Sequence, residues 1–182
     1  MNETIQALLS ISKIREALQR NDLDFVYDQI ATNSERSDLT VFLLENGIDP
    51  LDYISKIWWG MYSHVNVEIT ELIIPDHITE IENFAFDGDT CLERIRIGRG
   101  VKDIAPGAFR GCVNLEKIEL PESLRDYVWT VDKVPKTGYF YRRDQTLSDI
   151  FKDAIDFSNN LEFIFYWGNT YDRIFKNFFD WK

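Results

Sequence analysis

The chain has 182 residues, 45% of them hydrophobic and 14% aromatic, with a formal net charge of −11. That apolar content excludes a disordered chain. The longest apolar runs fall short of the roughly 20 residues that cross a bilayer, and the acid excess opposes contact with nucleic acid or an anionic membrane. The length suits one compact body with a sizeable core. The opening residues lack the basic-then-apolar order of a secretory leader. With only Cys91 and Cys112 present, free thiols and a cytoplasmic setting are expected.

Residues 1–65 read as an N-terminal helical cap of four helices. In ETIQALLSISKIREALQR, residues Ile5, Leu8, Leu9, Ile11 or Ser12, and Leu18 recur near one helical face. LDFVYDQIA repeats that signal over a shorter span. SDLTVFLLENG offers Ser37 or Asp38 as N-cap and Gly47 as stop. DPLDYISKIWWG offers Asp49 as N-cap with Pro50 at the first helical position. That last helix would feed HVNVEI as an irregular first rung.

Next comes a repeat. LIIPDHITEIENFAFDGDTCLER, residues 72–94, lies over IRIGRGVKDIAPGAFRGCVNLEK, residues 95–117, and IELPESL begins a third copy. Ile74, Ile97 and Leu120 share a column; so do Ile78, Val101 and Leu124, then Ala85 with Ala108 and Phe86 with Phe109. A fixed period in the twenties is the mark of a solenoid, each coil burying its inward face on its neighbour. Ile95 and Ile97 then point inward and Arg96 outward. Proline closes the strands at Pro75 and Pro121. Just over two rungs cannot stand alone, so the flanks must cover both ends.

These units, AFRGCVNLEKIELPESL above all, resemble leucine-rich repeats of the BspA-like type over about residues 66–126. Asp89 stands where that pattern has cysteine, and Gly98 where it has proline. The resemblance implies a short leucine-rich-repeat solenoid of the α+β class, with two full 23-residue rungs plus partial rungs. It also implies a buried Cys112, a recognition role and no common catalytic residue. FLLENGIDPLDYISKIWW ahead of such repeats is similar to the layout of small phage-encoded repeat proteins, which would place the chain in the cytoplasm of a bacterium or an infected host cell.

Residues 127–182 read as a C-terminal hairpin and aromatic helical cap. DYVWTVDKVPKTGYFYRRDQ predicts two strands about a Pro-Lys-Thr-Gly turn. TLSDIFKDAIDF predicts an amphipathic helix capped by Thr146 or Ser148. At helical spacing the ending forms two apolar stripes, one of them Phe163, Trp167, Ile174 and Trp181. A helix apolar on two sides is buried on two sides or holds a partner.

Catalytic and phosphate-binding motifs are missing, so no enzyme, cofactor or metal is expected. His77 reads as an exposed loop residue, His64 as a helix end, and the Asp87–Asp89 turn as solvated. Residues 23 apart become neighbours on adjacent rungs. Arg94 then lies beside Glu71, Arg96 beside Glu119, and Arg99 between Asp76 and Glu122, opposite charges that hold register. The expected function is non-catalytic binding of another protein, with Arg94, Arg96, Arg99 and Glu119 on the repeat face and Trp167, Phe178, Phe179 and Trp181 at the aromatic end. Direct binding of nucleic acid or membrane is not expected, and a homodimer contact is an alternative use of that end. The competing reading is an acidic, phage-type inhibitor of a host nucleic-acid-handling or defence factor, acting by imitation of DNA.

Overall fold

The computed structural model describes residues 11–65, 68–129, 145–151, 162–167 and 170–176. Helices α1 (Ile11–Arg20), α2 (Asp24–Asp28) and α3 (Asn33–Glu45) form the N-terminal cap. The start of α3 differs from the expectation at Ser37 or Asp38. Thr32 is its N-cap, with Oγ1 accepting from the Glu35 amide at 3.3 Å. The Thr-x-x-Glu spacing makes this the stronger start, and Ser37 lies inside the helix, buried. The helix ends ahead of Gly47, whose φ of 73° suits the stop.

The fourth expected helix is not formed. Asp49 does cap, accepting from the Leu51 amide at 2.9 Å, but only a single 3-10 turn, Pro50–Asp52, follows. The chain then enters strand β1 (Lys56–Ile57), which pairs in parallel with β3 (Glu80–Ile81); β3 pairs in turn with β5 (Asp103–Ile104). Winding therefore begins before HVNVEI. IDPLDYISKI, residues 48–57, overlies LIIPDHITEI, residues 72–81, at an offset of 24.

A second ladder carries the longer strands. Strand β2 (Glu71–Ile73) pairs with β4 (Arg94–Arg96), and β4 with β6 (Lys117–Pro121), all parallel. Leu72, Ile95 and Ile118 stand in register, as do Ile73, Arg96 and Glu119. Ile74, Ile97 and Leu120 are buried just beyond the first two strands and within the third. The two ladders share one core with the cap, running from Ile14 to Phe151.

Rings stack through that core. Tyr62, Phe86, Phe109 and Phe151 lie in file, with centroid separations of 5.1, 5.0 and 4.7 Å and interplanar angles of 15°, 4° and 27°. The file continues one rung before and one rung after the Phe86–Phe109 pair visible in the sequence. Phe151 follows Phe109 by 42 positions, against 23 between Phe86 and Phe109, yet its ring still falls into the file. Where the short ladder stops at β5, the Tyr127 hydroxyl accepts from the Ile104 amide at 3.1 Å and donates to the Asp103 carboxylate. A side chain thus satisfies a backbone donor that a further strand would have taken.

Adjacent rungs approach closely at Gly98 and Gly100. A β-carbon on Gly98 would overlap the Pro75 carbonyl oxygen, and one on Gly100 that of Asp76. Gly100→Ala must push two rungs apart and is expected to cost about 1–3 kcal/mol in chemical unfolding; a wild-type unfolding midpoint would show that the rungs can separate there.

After β6, strands β7 (Val128–Trp129) and β8 (Gln145–Thr146) pair antiparallel, as a hairpin requires. Its turn lies outside the described residues. Helix α4 (Leu147–Ile150) covers the start of the expected amphipathic helix. The C-terminal segment, expected as a helix, is instead two strands. Strand β9 (Glu162–Trp167) pairs in parallel with β6, and β10 (Thr170–Lys176) folds back antiparallel on β9. Five residues of β6 would otherwise present an unpaired edge, and EFIFYW is rich in the aromatic and β-branched residues that pack on a pleated surface. The sheet order is β10-β9-β6-β4-β2, open at its ends.

A candidate protein-binding face

Outward positions along β2, β4 and β6 form one face because successive strand residues alternate sides. Glu71, Arg94 and Lys117 make one column, and Ile73, Arg96 and Glu119 the next. Together with the edges of Leu72 and Ile95 they line an open groove of about 220 Å³. Arg94 Nη1 meets Glu71 Oε1 at 2.6 Å. Glu119 is shared, with Lys117 Nζ at 2.6 Å and Arg96 Nε at 4.0 Å. Ile73 is 69% exposed in this setting. An isolated exposed isoleucine is ordinary; one set in a groove among side chains of both charges is an apolar contact point with a polar frame.

Arg94, Arg96 and Glu119 therefore come together as expected. Arg99 does not join them. Its backbone amide donates to Asp76 Oδ1 at 2.8 Å, while Glu122 is engaged by Arg125, whose Nη2 lies 2.6 Å from Oε2. Arg99 follows β4 and does not line the groove, and the 23-residue column was right in setting it beside Asp76. Trp167 ends β9, at the register position facing Thr170 of β10. Phe178, Phe179 and Trp181 lie outside the described residues. Ile73 and Lys117 were missed, although the register that paired Arg96 with Glu119 also puts them in these two columns.

Other charged groups serve the fold. Asp87 and Asp89 are buried, against the expectation of a solvated turn. Asp87 holds the Arg110 guanidinium through two contacts, at 2.7 and 2.6 Å, and that guanidinium lies 4.5 Å from the centre of the Phe84 ring. Asp89 Oδ1 accepts from the amides of Cys91 and Leu92 at 3.0 and 3.2 Å; burial pushes its carboxyl above the ordinary value. Cys112, in the equivalent place one rung on, donates from Sγ to the Phe86 carbonyl, and burial raises its thiol pKa. Both cysteines are unbridged.

His77 sits at a loop and contacts the Leu51 carbonyl through Nε2 at 2.9 Å. His64 is not at a helix end but in a turn of the first rung, with φ of 50°. Among the described residues no three histidine, cysteine or acidic side chains gather as a metal site would need. None of the described helices is long and apolar enough to cross a membrane.

A family model described as the BspA type leucine-rich repeat region matches residues 59–180 in six copies. The chain belongs to the BspA-type leucine-rich repeat family. The match runs past 66–126 at both ends, as do the ring file and the parallel ladders. No curated protein and no solved structure matches the chain. Leucine-rich repeats generally mediate protein–protein interaction and are typically non-catalytic. A mixed-charge groove with an exposed isoleucine on its edge strand, on strands the repeat holds parallel, is a surface that suits such use in a BspA-type protein.

Proposed function

We propose that this BspA-type repeat protein is a non-catalytic binding module that holds a partner protein on the β2–β4–β6 face, with the aromatic residues Trp167, Phe178, Phe179 and Trp181 extending the contact. The observation that carries this reading is the mixed-charge groove with the exposed Ile73 on its edge strand. Interfaces take their energy from a desolvated apolar anchor, with charged neighbours setting partner choice. Capture of partners from the native host by wild-type protein, Ile73→Asp and Arg96→Glu tests it. Each substitution is expected to weaken the specific complex by about tenfold or more with thermal unfolding unchanged. Wild-type capture by both folded variants overturns the reading.

The net charge of −11 supports a second reading, an acidic inhibitor that occupies the nucleic-acid site of a host or defence factor, acting in the cytoplasm. Its complex would weaken steeply with salt and compete with DNA; a salt-insensitive complex removes it.

A further inference from the structure

The rung that carries Phe151 is longer than its neighbours. Phe151 stacks directly on Phe109 at 4.7 Å. Strand β9 likewise pairs directly with β6, Lys117 beside Glu162 and Ile118 beside Phe163. No further rung stands between them. Yet Lys117 and Glu162 are 45 positions apart in the chain, against 23 for Arg94 and Lys117. One coil therefore holds nearly twice the usual length of chain without losing its place in the stack.

The surplus has a definite position. Before it, the repeat keeps its period: Leu124 follows Val101 by 23 positions, and both are buried. Tyr127 follows Ile104 by 23 and meets its amide through the hydroxyl at 3.1 Å. After it, the unit resumes. Leu147, Ile150 and Phe151 are all buried, and Ile150-Phe151 stand where the preceding rung has Ala108-Phe109. Between these two points lie β7 and β8, which form a two-stranded sheet of their own and join neither ladder. Val128 and Thr146 face one another in that sheet, and both are exposed. Removing the 19 residues 128–146 would set Phe151 23 positions after Phe109, the period of the repeat.

We propose that residues 128–146 are an insertion within one rung, an appendage that the solenoid needs neither to fold nor to close. Each coil of a solenoid meets only its neighbours, so a coil accepts extra chain wherever its inward residues keep their register. Closure entropy grows slowly with length, so such an insertion costs the stack little. The β7–β8 pair is then a separable element, and its removal leaves the ring file and the β2–β4–β6 face as they are. Nothing in this depends on what the sheet face binds.

Two variants of the full chain test it by thermal unfolding, followed by circular dichroism. One deletes residues 128–146. The other replaces them with Gly-Ser-Gly, so that a strained junction cannot decide the result. At least one is expected to unfold cooperatively, with a melting temperature within about 8 °C of the parent. Phe109→Ala and Phe151→Ala, each made in the parent and in that shortened chain, should lower the melting temperature equally in both, because the ring file is unbroken. Loss of cooperative unfolding in both shortened chains, or a larger fall in melting temperature in both, makes the β7–β8 pair part of the packed body and overturns the proposal. A shortened chain that folds but no longer responds to Phe151→Ala also overturns it, since the ring has then left the file.

Discussion

Replacing Phe109 with alanine lowers stability by about 3–5 kcal/mol, the range for removing a large ring from a closed core. Phe109 is fully buried, with Phe86 stacked 5.0 Å to one side and Phe151 4.7 Å to the other. Each such pairing contributes about 0.5–1.5 kcal/mol beyond the area it buries. The gap cannot close readily, because the ladders hold the rungs about 4.8 Å apart whatever fills the space between them. Chemical unfolding at fixed pH, followed by tryptophan fluorescence, measures the loss. Phe109→Leu keeps most of the buried volume and should lose less than half as much. A loss below about 1.5 kcal/mol for the alanine variant would mean that the rings do not form a continuous core.

The second large effect is at the joint between cap and solenoid. Arg36 is 4% exposed, yet it is a guanidinium. Its Nε donates to the Tyr27 carbonyl and its Nη1 to the Trp59 carbonyl, both at 3.2 Å, and it lies 5.2 and 4.7 Å from the ring centres of Trp58 and Trp59. Burial lowers its pKa from the ordinary arginine value, with the Glu82 and Asp28 charges opposing that shift. Arg36→Ala takes this donor from the Trp59 carbonyl, leaves the Tyr27 carbonyl with the Ile30 amide, and removes both ring contacts. A cost of about 3 kcal/mol follows from a charged hydrogen bond worth about 1.5–3 and ring contacts worth about 0.5–2. Arg36→Lys keeps the charge but not the planar fork, so it should recover less than half. Thermal unfolding of the three proteins decides this, and an unchanged melting temperature for Arg36→Ala would show that the cap docks without it.

Asp24 makes the same joint from the other side. Its carboxylate accepts from the Ser55 amide and hydroxyl at 2.7 and 2.6 Å and from Trp58 Nε1 at 2.7 Å. Neither residue stands out in the sequence. One of the two aspartates of a short helix and a single arginine inside α3 look like solvated charges until the fold brings the first rung against them.

Legibility followed how regular each part of the chain is. Residues 72–124 repeat at a constant 23 with matched apolar columns, so strand register and the Arg94–Glu71 and Arg96–Glu119 neighbours could be read off directly. The first rung was hidden by an offset of 24 and by Met61-Tyr62 where later rungs have Ala-Phe. Its Asp49-Pro50 start imitates a helix, and the cap it forms is real, but it ends after one 3-10 turn. Phe151 was hidden by the longer connection before it. The C-terminal strands were misread because EFIFYW and TYDRIFK are apolar enough to fit helical stripes as well as strand alternation. The Gly168-Asn169 pair between them was the hairpin signal that went unused.

What the sequence by itself determined is the repeating unit: which residues face inward, that rungs stack in parallel, and that the flanks must close the ends. These follow from short-range spacing, since a residue and its equivalent one period later must become neighbours once the chain coils. Only the tertiary structure decided that Tyr62 and Phe151 join the ring file and that Arg36 and Asp24 clamp the cap. It also decided that the last segment becomes strand by pairing with β6, and that Ile73 lies exposed among the cations. Those outcomes depend on contacts between segments with no common period, where burial and unpaired backbone groups outweigh local preference.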